Sequence, residues 1–248
     1  MVESFRRLPL LGQNLLLGLM TMAVGMPIYT VPNILFGDRP GMSLATSIDD
    51  AIPFVPWTIL GYALVYVFIF LPVFTIKHRP IFIRMVAGFL LCSAIALPFF
   101  IFMPVRMPRP GVPTQESLFY WGVAFNYVLD KPVNCFPSLH VANAFFASMI
   151  AYHYRPRVGI IAWFMAALVS VSTLYMKQHF IADIVMGFVL SFAIYRLYFK
   201  RRAYLHGNQK PLPEYLSLGV VVIYLGFVVS MYVLFRAGMQ LPLDKIVL

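Results

Sequence analysis

The chain has 248 residues, of which 61% are hydrophobic and only 11% are charged, and its formal net charge is +10. A soluble domain carries about a quarter charged residues, so this composition excludes an ordinary soluble protein and predicts an integral membrane protein. The basic residues sit in short clusters between apolar runs. Such clusters are typical of the loops between membrane spans, and they argue against nucleic-acid binding.

Seven apolar segments follow one another, which matches spans of roughly 20 residues each. The predicted fold is an all-α, polytopic transmembrane helix bundle, with a six-span core and a seventh, C-terminal span in a single integral membrane domain over residues 1–248. The first segment is long for a signal peptide and lacks a small-x-small cleavage site, so it is interpreted as a retained span. The predicted spans are Leu8–Val31, Pro56–Ile76, Ile81–Val105, Ser138–Tyr154, Val158–Met176, His179–Phe199 and Tyr215–Met239.

Two connections between spans are longer than simple turns, Pro32–Val55 and Arg106–Pro137. The second contains the aromatic stretch Ser117–Leu129. Because Tyr and Trp favour the membrane interface, this stretch is predicted to be an interfacial or re-entrant helix, with an ordinary amphipathic loop helix as the alternative. Cys92 lies in an apolar run and Cys135 in a polar segment, so no disulfide is expected between them.

The loops predict an orientation. With seven spans, one side of the membrane carries 12 basic residues and the other carries 7. The richer side is expected to be cytoplasmic, which puts the N-terminus inside and the C-terminus outside. The expected location is the plasma (inner) membrane. The poorer side receives Pro104–Pro137 and Met176–His179. Since these segments carry the candidate chemistry, the active site is predicted on the extracytoplasmic face.

Ionisable residues at span ends are costly in so apolar a protein, and they invite a functional hypothesis. His179 and Asp183 are four residues apart, a spacing that places two side chains on one face of a helix. A carboxylate there holds one imidazole nitrogen and leaves the other free to attack. A structural pair on a helix surface is the alternative.

The sequence Pro137-Ser138-Leu139-His140 is typical of a helix start, where unpaired N–H groups and a partial positive charge suit a phosphate. His140 at this position is a candidate general acid. The alternatives are a plain N-cap for Ser138 and an interfacial histidine for His140.

Three basic residues lie near these segments. Arg109, beside the rigid Pro110, is a candidate for gripping two phosphate oxygens with its planar guanidinium. Arg106 and Lys177 are candidates for additional positive charge at the same place. Their alternative role is to extend to the membrane interface.

Together these segments resemble the type-2 phosphatidic acid phosphatase superfamily, whose pattern is Lys-x6-Arg-Pro, then Pro-Ser-Gly-His, then Ser-Arg-x5-His-x3-Asp. Arg109-Pro110 matches the end of the first motif. Residues 137–140 match the second except at glycine, and residues 172–183 match the third except at arginine. The resemblance covers roughly Phe102–Gly187, which holds the core motifs.

The resemblance implies that His179 is a nucleophile forming a phosphohistidine, that Asp183 orients it, and that His140 is the general acid. It implies a lipid phosphate or pyrophosphate substrate and neither metal nor cofactor; no carboxylate cluster or zinc-site spacing is present in the sequence. No obligate protein partner is inferred. The implied phosphate-binding residues are Arg109, Ser138 and Leu139, with Arg106 and Lys177 as additions.

The chain departs from the family pattern at three positions. Phe102 stands where the first motif has lysine, Thr173 where the third has arginine, and Leu139 where the second has glycine. These departures resemble the branch that includes inositol phosphorylceramide synthases. The expected function is a lipid phosphatase; the alternative is a lipid head-group phosphotransferase using the same histidine. A lipid transporter or flippase, in which His and Asp relay protons, is the alternative of another class.

Overall fold

In a computed structural model, the described residues are 9–68, 70–76, 79–112, 115–200 and 218–242. These residues form helices joined by loops and contain no strand, apart from two isolated bridges at Val105. The predicted all-α fold is therefore confirmed. In chain order the helices are α1 Leu10–Phe36, α2 Ser47–Ala51, α3 Ile59–Ala63, α4 Val65–Phe68, α5 Leu71–Thr75, α6 Arg79–Phe102, α7 Leu118–Leu129, α8 Leu139–Tyr154, α9 Pro156–Tyr175, α10 Ile181–Ile194 and α11 Leu218–Arg236.

Five of the described helices are long and apolar enough to cross a membrane: α1, α6, α9, α10 with its π-helical continuation Tyr195–Lys200, and α11. Many of their large apolar side chains are exposed on the outside of the bundle, as a lipid-facing surface requires. The chain is thus an integral membrane protein. Several residues used in the predicted spans and charge asymmetry lie outside the described residues: Arg6, Arg7, Leu8, Lys77, Arg201, Arg202, Lys210, Tyr215 and Lys245.

The second predicted span, Pro56–Ile76, is helical but interrupted. A 3-10 turn at Pro56–Thr58 leads into α3, α4 and α5 as separate short pieces. Proline has no N–H, and its ring clashes with the carbonyl four residues earlier. Pro72, at the start of α5, therefore prevents a single continuous helix through this segment.

Helix α8 lies at the centre of the bundle and packs against α9, α10 and α6. It has only 16 residues, and most of its side chains are buried. Small residues at membrane helix interfaces let backbones approach closely. Ala142, Ala144, Ala147 and Ala151 provide such contacts here, and each is fully buried.

The loops that carry the three motifs gather at one end of the bundle, as predicted. The Met42 N–H donates to the Pro104 carbonyl at 2.9 Å, which ties the loop after α1 to the end of α6. The Ser138 N–H donates to the Asp183 carbonyl at 3.1 Å, which ties the start of α8 to α10. Residues about 45 positions apart along the chain are thereby brought into contact.

The aromatic stretch before α8 forms a helix, α7, as predicted. Its Trp121 and Tyr127 are buried within the protein, so their rings do not lie at the lipid interface. The Trp121 indole N–H donates to the Met239 carbonyl at 2.8 Å beyond α11, and the Tyr127 hydroxyl donates to the Met176 carbonyl. Helix α7 therefore connects α11 to the turn between α9 and α10, where the candidate site lies.

Candidate active site

His179 and Asp183 form the predicted pair, but not as neighbours on one helix. Helix α10 begins at Ile181, so His179 lies in the turn before it and Asp183 lies in its first turn. The Asp183 Oδ2 accepts the Phe180 N–H at 2.8 Å and lies 3.3 Å from His179 Nδ1. Because the carboxylate also caps the helix, its position is determined by the backbone as well as by the histidine.

His140 completes a line with this pair. It is the second residue of α8, and the Ser138 hydroxyl caps the helix by accepting the Val141 N–H at 3.3 Å. His140 Nδ1 lies 3.0 Å from His179 Nε2. The N-cap role weighed for Ser138 is therefore observed, and the three predicted catalytic side chains are in direct contact.

The direction of each hydrogen bond along this line follows from Asp183. A carboxylate only accepts, so His179 donates from Nδ1 and its Nε2 carries the lone pair. His140 must then donate from Nδ1, since Nε2 of His179 accepts. The arrangement leaves the lone pair of His179 Nε2 facing His140.

Arg109 is buried near His179. Its guanidinium carbon lies 4.3 Å above the centre of the Tyr127 ring, and its nitrogens donate to the Gln178 Oε1 and the Asp130 carbonyl. Its Nε has no partner among the described residues. Arg109 and His179 line the same small cavity, which has no room for a water molecule in this conformation. Its lining residues are Tyr29, Arg109, Asp130, Lys131, Pro132, Asn134, Cys135, Gln178 and His179.

A hydrogen-bonded network of neutral side chains extends behind Arg109 and was missed by the sequence analysis. Gln178 accepts from Arg109 and donates to the Asn126 Oδ1. Asn126 in turn donates to the Tyr66 hydroxyl at 3.0 Å. In the sequence, this network is indicated by Gln178, which directly precedes His179.

Two acidic residues, Asp49 of α2 and Asp130 at the end of α7, also contact the segments that form the site, and no motif predicted them. The Asp49 Oδ1 accepts the Ile181 N–H at 2.8 Å at the start of α10. Burial alone would raise the pKa of Asp49, but hydrogen bonds from Thr46 and Ile181 outweigh it and lower that pKa. Asp130 accepts the Tyr29 hydroxyl at 2.7 Å, and burial raises the pKa of Asp130.

Arg106 and Lys177 donate to backbone carbonyls of the loop after α1 and of α2, respectively. Arg106 donates to the carbonyls of Gly37 and Arg39. Lys177, whose φ of 50° is uncommon outside glycine, donates to the Asp49 carbonyl at 3.0 Å. Neither lines the cavity beside His179, so their role as phosphate ligands stays a prediction.

The positions where the chain departs from the family pattern supply no cation to the site. Phe102, at the end of α6, is 84% exposed. Thr173 is buried and donates to the Ser170 carbonyl at 2.7 Å. Leu139, at the glycine position, packs into the central core.

One residue set has donor atoms close enough to be compared with a metal site. The Cys135 thiol, His179 and Asp183 offer ligand atoms within 4.8 Å of one another. The thiolate is the form that binds metals, and burial, with the nearby Asp183, raises the pKa of the Cys135 thiol well above its usual value. Both cysteines are free, as predicted.

Comparisons with known proteins agree with this geometry. A model of the PAP2 superfamily, the type-2 phosphatidic acid phosphatases, matches residues 84–206, which include every motif residue of the site. An uncharacterized protein of Methanocaldococcus jannaschii is 31% identical over 90 residues, covering 33% of this chain and 36% of that protein. The chain thus spans about a third of the length of the curated relative it matches. No solved structure matches. With its three motifs meeting at one end of a membrane helix bundle, the chain belongs to the PAP2 superfamily.

Proposed function

We propose that this protein is a membrane lipid phosphatase that removes phosphate from a lipid phosphate or pyrophosphate through a phosphohistidine on His179. The observation that carries the proposal is the continuous line from Asp183 through His179 to His140, with separations of 3.3 and 3.0 Å. It has the orienter, nucleophile and acid of a triad in which histidine is the nucleophile. Membership of the PAP2 superfamily supports phosphatase or phosphotransferase chemistry.

In the first step the His179 Nε2 lone pair attacks phosphorus while the bond to the lipid oxygen breaks. The imidazole of His179 becomes positively charged as the N–P bond forms. Asp183 stabilises that charge, because its carboxylate lies against the Nδ1–H. Burial of both side chains strengthens the interaction by excluding water.

His140 supplies the proton that the departing lipid oxygen needs. In the second step it accepts a proton from the water that attacks the phosphohistidine, and inorganic phosphate leaves. The transferring phosphorus requires room between the two rings, since reacting atoms stand about 3 to 3.5 Å apart. The substrate phosphate must therefore separate His140 and His179, which hydrogen-bond directly in its absence.

Arg109 and the start of α8 are proposed to hold the phosphate. His140 in the first turn of α8 contacts His179, where the helix N-terminus carries a partial positive charge, and the Arg109 side chain lines the same small cavity as His179. Phosphoryl transfer asks the protein mainly for positioning and charge stabilisation, which these groups supply. No step in this scheme requires a metal ion.

A head-group phosphotransferase is the second candidate, and one observation favours it. Phe102 and Thr173 leave two of the family's cationic positions without charge. A phosphodiester carries one negative charge where a phosphate monoester carries up to two, so a site with fewer cations suits a diester donor better. In this reaction His179 displaces one alcohol of the diester, and a second alcohol, instead of water, takes the remaining substituted phosphoryl group from His179.

The test measures phosphate release by purified protein in detergent, from several lipid monophosphates and without added alcohol. Wild type should release inorganic phosphate, and His179→Ala should release none above background. His153→Ala, at the opposite end of α8, is the matched control and should keep nearly full activity. Activity in His179→Ala would overturn the proposal. With a phosphodiester lipid as donor, turnover that depends on an added alcohol and yields a new phosphodiester would establish the transferase instead.

We also propose that the site faces the extracytoplasmic side, from the uneven distribution of basic residues. Gly111 lies exposed in the loop between α6 and α7. In a Gly111→Cys variant, with the native cysteines replaced, an impermeant thiol reagent should label intact cells. Labelling only after lysis would reverse the orientation.

A further inference from the structure

Tyr62 contacts His140 on the side opposite His179. It lies in α3, has no exposed surface, and places its hydroxyl 2.9 Å from His140 Nε2. The two ring centres are 5.2 Å apart. Tyr62 belongs to none of the three motifs, and the mechanism described above does not use it.

The hydrogen-bond directions assign the Tyr62 hydroxyl a defined role. His140 donates from Nδ1 to His179, so a neutral His140 has its lone pair on Nε2. Tyr62 must then donate its O–H to that lone pair. The complete line runs from Tyr62 to His140, to His179 and to Asp183, with each donor meeting an acceptor.

Packing holds Tyr62 in this position. Its ring meets the Tyr66 ring edge-on, with centres 6.1 Å apart. At the neighbouring Gly61, an added Cβ would lie 2.2 Å from the Ser172 Oγ, so the absence of a side chain there lets α3 approach α9. The hydroxyl of Tyr62 is therefore presented to His140 by a closely packed helix pair.

We propose that Tyr62 is a positioning residue that holds the His140 ring with Nδ1, the nitrogen that donates the proton, facing the reacting phosphate. This inference rests on the proposed function, because it assigns a role relative to His140 as the acid. Tyr62 acts through His140 and does not itself touch the substrate.

The proton balance uses both hydrogen-bonding modes of the Tyr62 hydroxyl. A doubly negative phosphate monoester binds together with one proton from water, which makes His140 doubly protonated. Nε2–H of the charged His140 then donates to the Tyr62 oxygen. As His179 attacks and the P–O bond breaks, the Nδ1 proton goes to the lipid oxygen. The remaining proton stays on Nε2, held by Tyr62.

The experiment compares two leaving groups in single-turnover reactions of Tyr62→Phe. An alkyl lipid phosphate needs its oxygen protonated, whereas a nitrophenyl phosphate carrying a lipid tail does not. We expect the alkyl substrate to react about 10- to 100-fold more slowly than with wild type, within the range of general acid catalysis. The rate with the nitrophenyl substrate should fall by less than about 3-fold, because departure of the nitrophenolate needs little general acid catalysis.

Tyr224→Phe is the matched control, because the Tyr224 hydroxyl donates to the Leu60 carbonyl at 3.0 Å in the same part of the bundle. It should leave both rates near wild type. An equal loss for both substrates in Tyr62→Phe would show a merely structural role and overturn the inference. Unchanged rates would overturn it as well.

A second measurement reads the tautomer without turnover. In protein with 15N-labelled histidine, wild type should show the His140 proton on Nδ1, and Tyr62→Phe should shift it toward a mixture of both nitrogens. An unchanged His140 spectrum would contradict the inference. If Tyr62→Phe leaves the His140 spectrum unchanged while His179→Ala is inactive, only the role of Tyr62 is refuted. Activity in His179→Ala would refute the proposed function itself.

Discussion

Replacing Asp183 by asparagine removes one charge from the site with almost no change in shape. In the native protein, Asp183 Oδ2 serves His179 Nδ1 and the Phe180 N–H together, and Oδ1 has no partner among the described residues. Asparagine keeps one carbonyl oxygen for the Phe180 N–H, so α10 retains its cap. What it loses is the negative charge that stabilises a positively charged His179.

The size of the effect follows from the type of hydrogen bond that is lost. A hydrogen bond to a charged group contributes about 1.5 to 3 kcal/mol. The site is buried, so this range needs no large reduction for solvent screening. At about 1.4 kcal/mol per factor of ten, Asp183→Asn should slow formation of the phosphoenzyme by roughly 10- to 150-fold.

The assay is the single-turnover rate of lipid release at saturating substrate, with thermal unfolding in detergent as a check on folding. Asp38→Asn is the control, because the Asp38 carboxylate pairs with Lys131 on the surface and its removal should change the rate less than about 2-fold. A folded Asp183→Asn protein with a rate within 3-fold of wild type would refute the role given to this carboxylate.

Three further predictions concern the surroundings of the histidines. At Gly187 an added Cβ would lie 2.5 Å from the Ser138 carbonyl oxygen, so Gly187→Ala should lower the free energy of unfolding by roughly 1 to 3 kcal/mol and displace α10 from α8. Gly226→Ala is the control, because open space surrounds Gly226. Thermal unfolding and activity are measured for both variants. Arg109→Lys, which loses the two-pronged donor geometry, should lower kcat/KM by roughly 10- to 150-fold, and an unchanged value would remove Arg109 from phosphate binding. Because the pKa of Asp49 is lowered on folding, the stability that it contributes should be present above the ordinary carboxyl pKa of about 4 and be lost as the pH falls through the lowered value. Unfolding of wild type and Asp49→Asn should therefore differ at pH 6 and converge in acid; a difference that persists in acid would contradict this.

The helical regions could be predicted because membrane composition leaves few choices. Apolar segments must satisfy their backbone hydrogen bonds internally, so each of the seven became helical in its described part. The interruptions in Pro56–Ile76 depended on Pro72 and on packing around the short helices. The burial of Trp121 depended on its contact with the end of α11, a tertiary contact that local sequence does not encode.

The centre of the site could be predicted from spacing, but its support could not. The sequence places all three motifs at the same end of the predicted spans, and in the structure His140 contacts His179 there. Tyr62 and Asp49 come from segments with no motif, and only the folded bundle shows that they touch His140 and the start of α10. The sequence predicts Arg106 as an additional cation beside Arg109, yet Arg106 donates to backbone carbonyls and does not line the cavity.

The nucleophile itself can be identified by trapping. Protein mixed with a 32P-labelled lipid phosphate and quenched within milliseconds in alkali should carry label that is stable to base and released by acid, the signature of phosphohistidine. Peptide mapping should place the label on His179, and His179→Ala should carry none. Label on Ser138, on Cys135 or on no residue during full turnover would contradict the central role of His179.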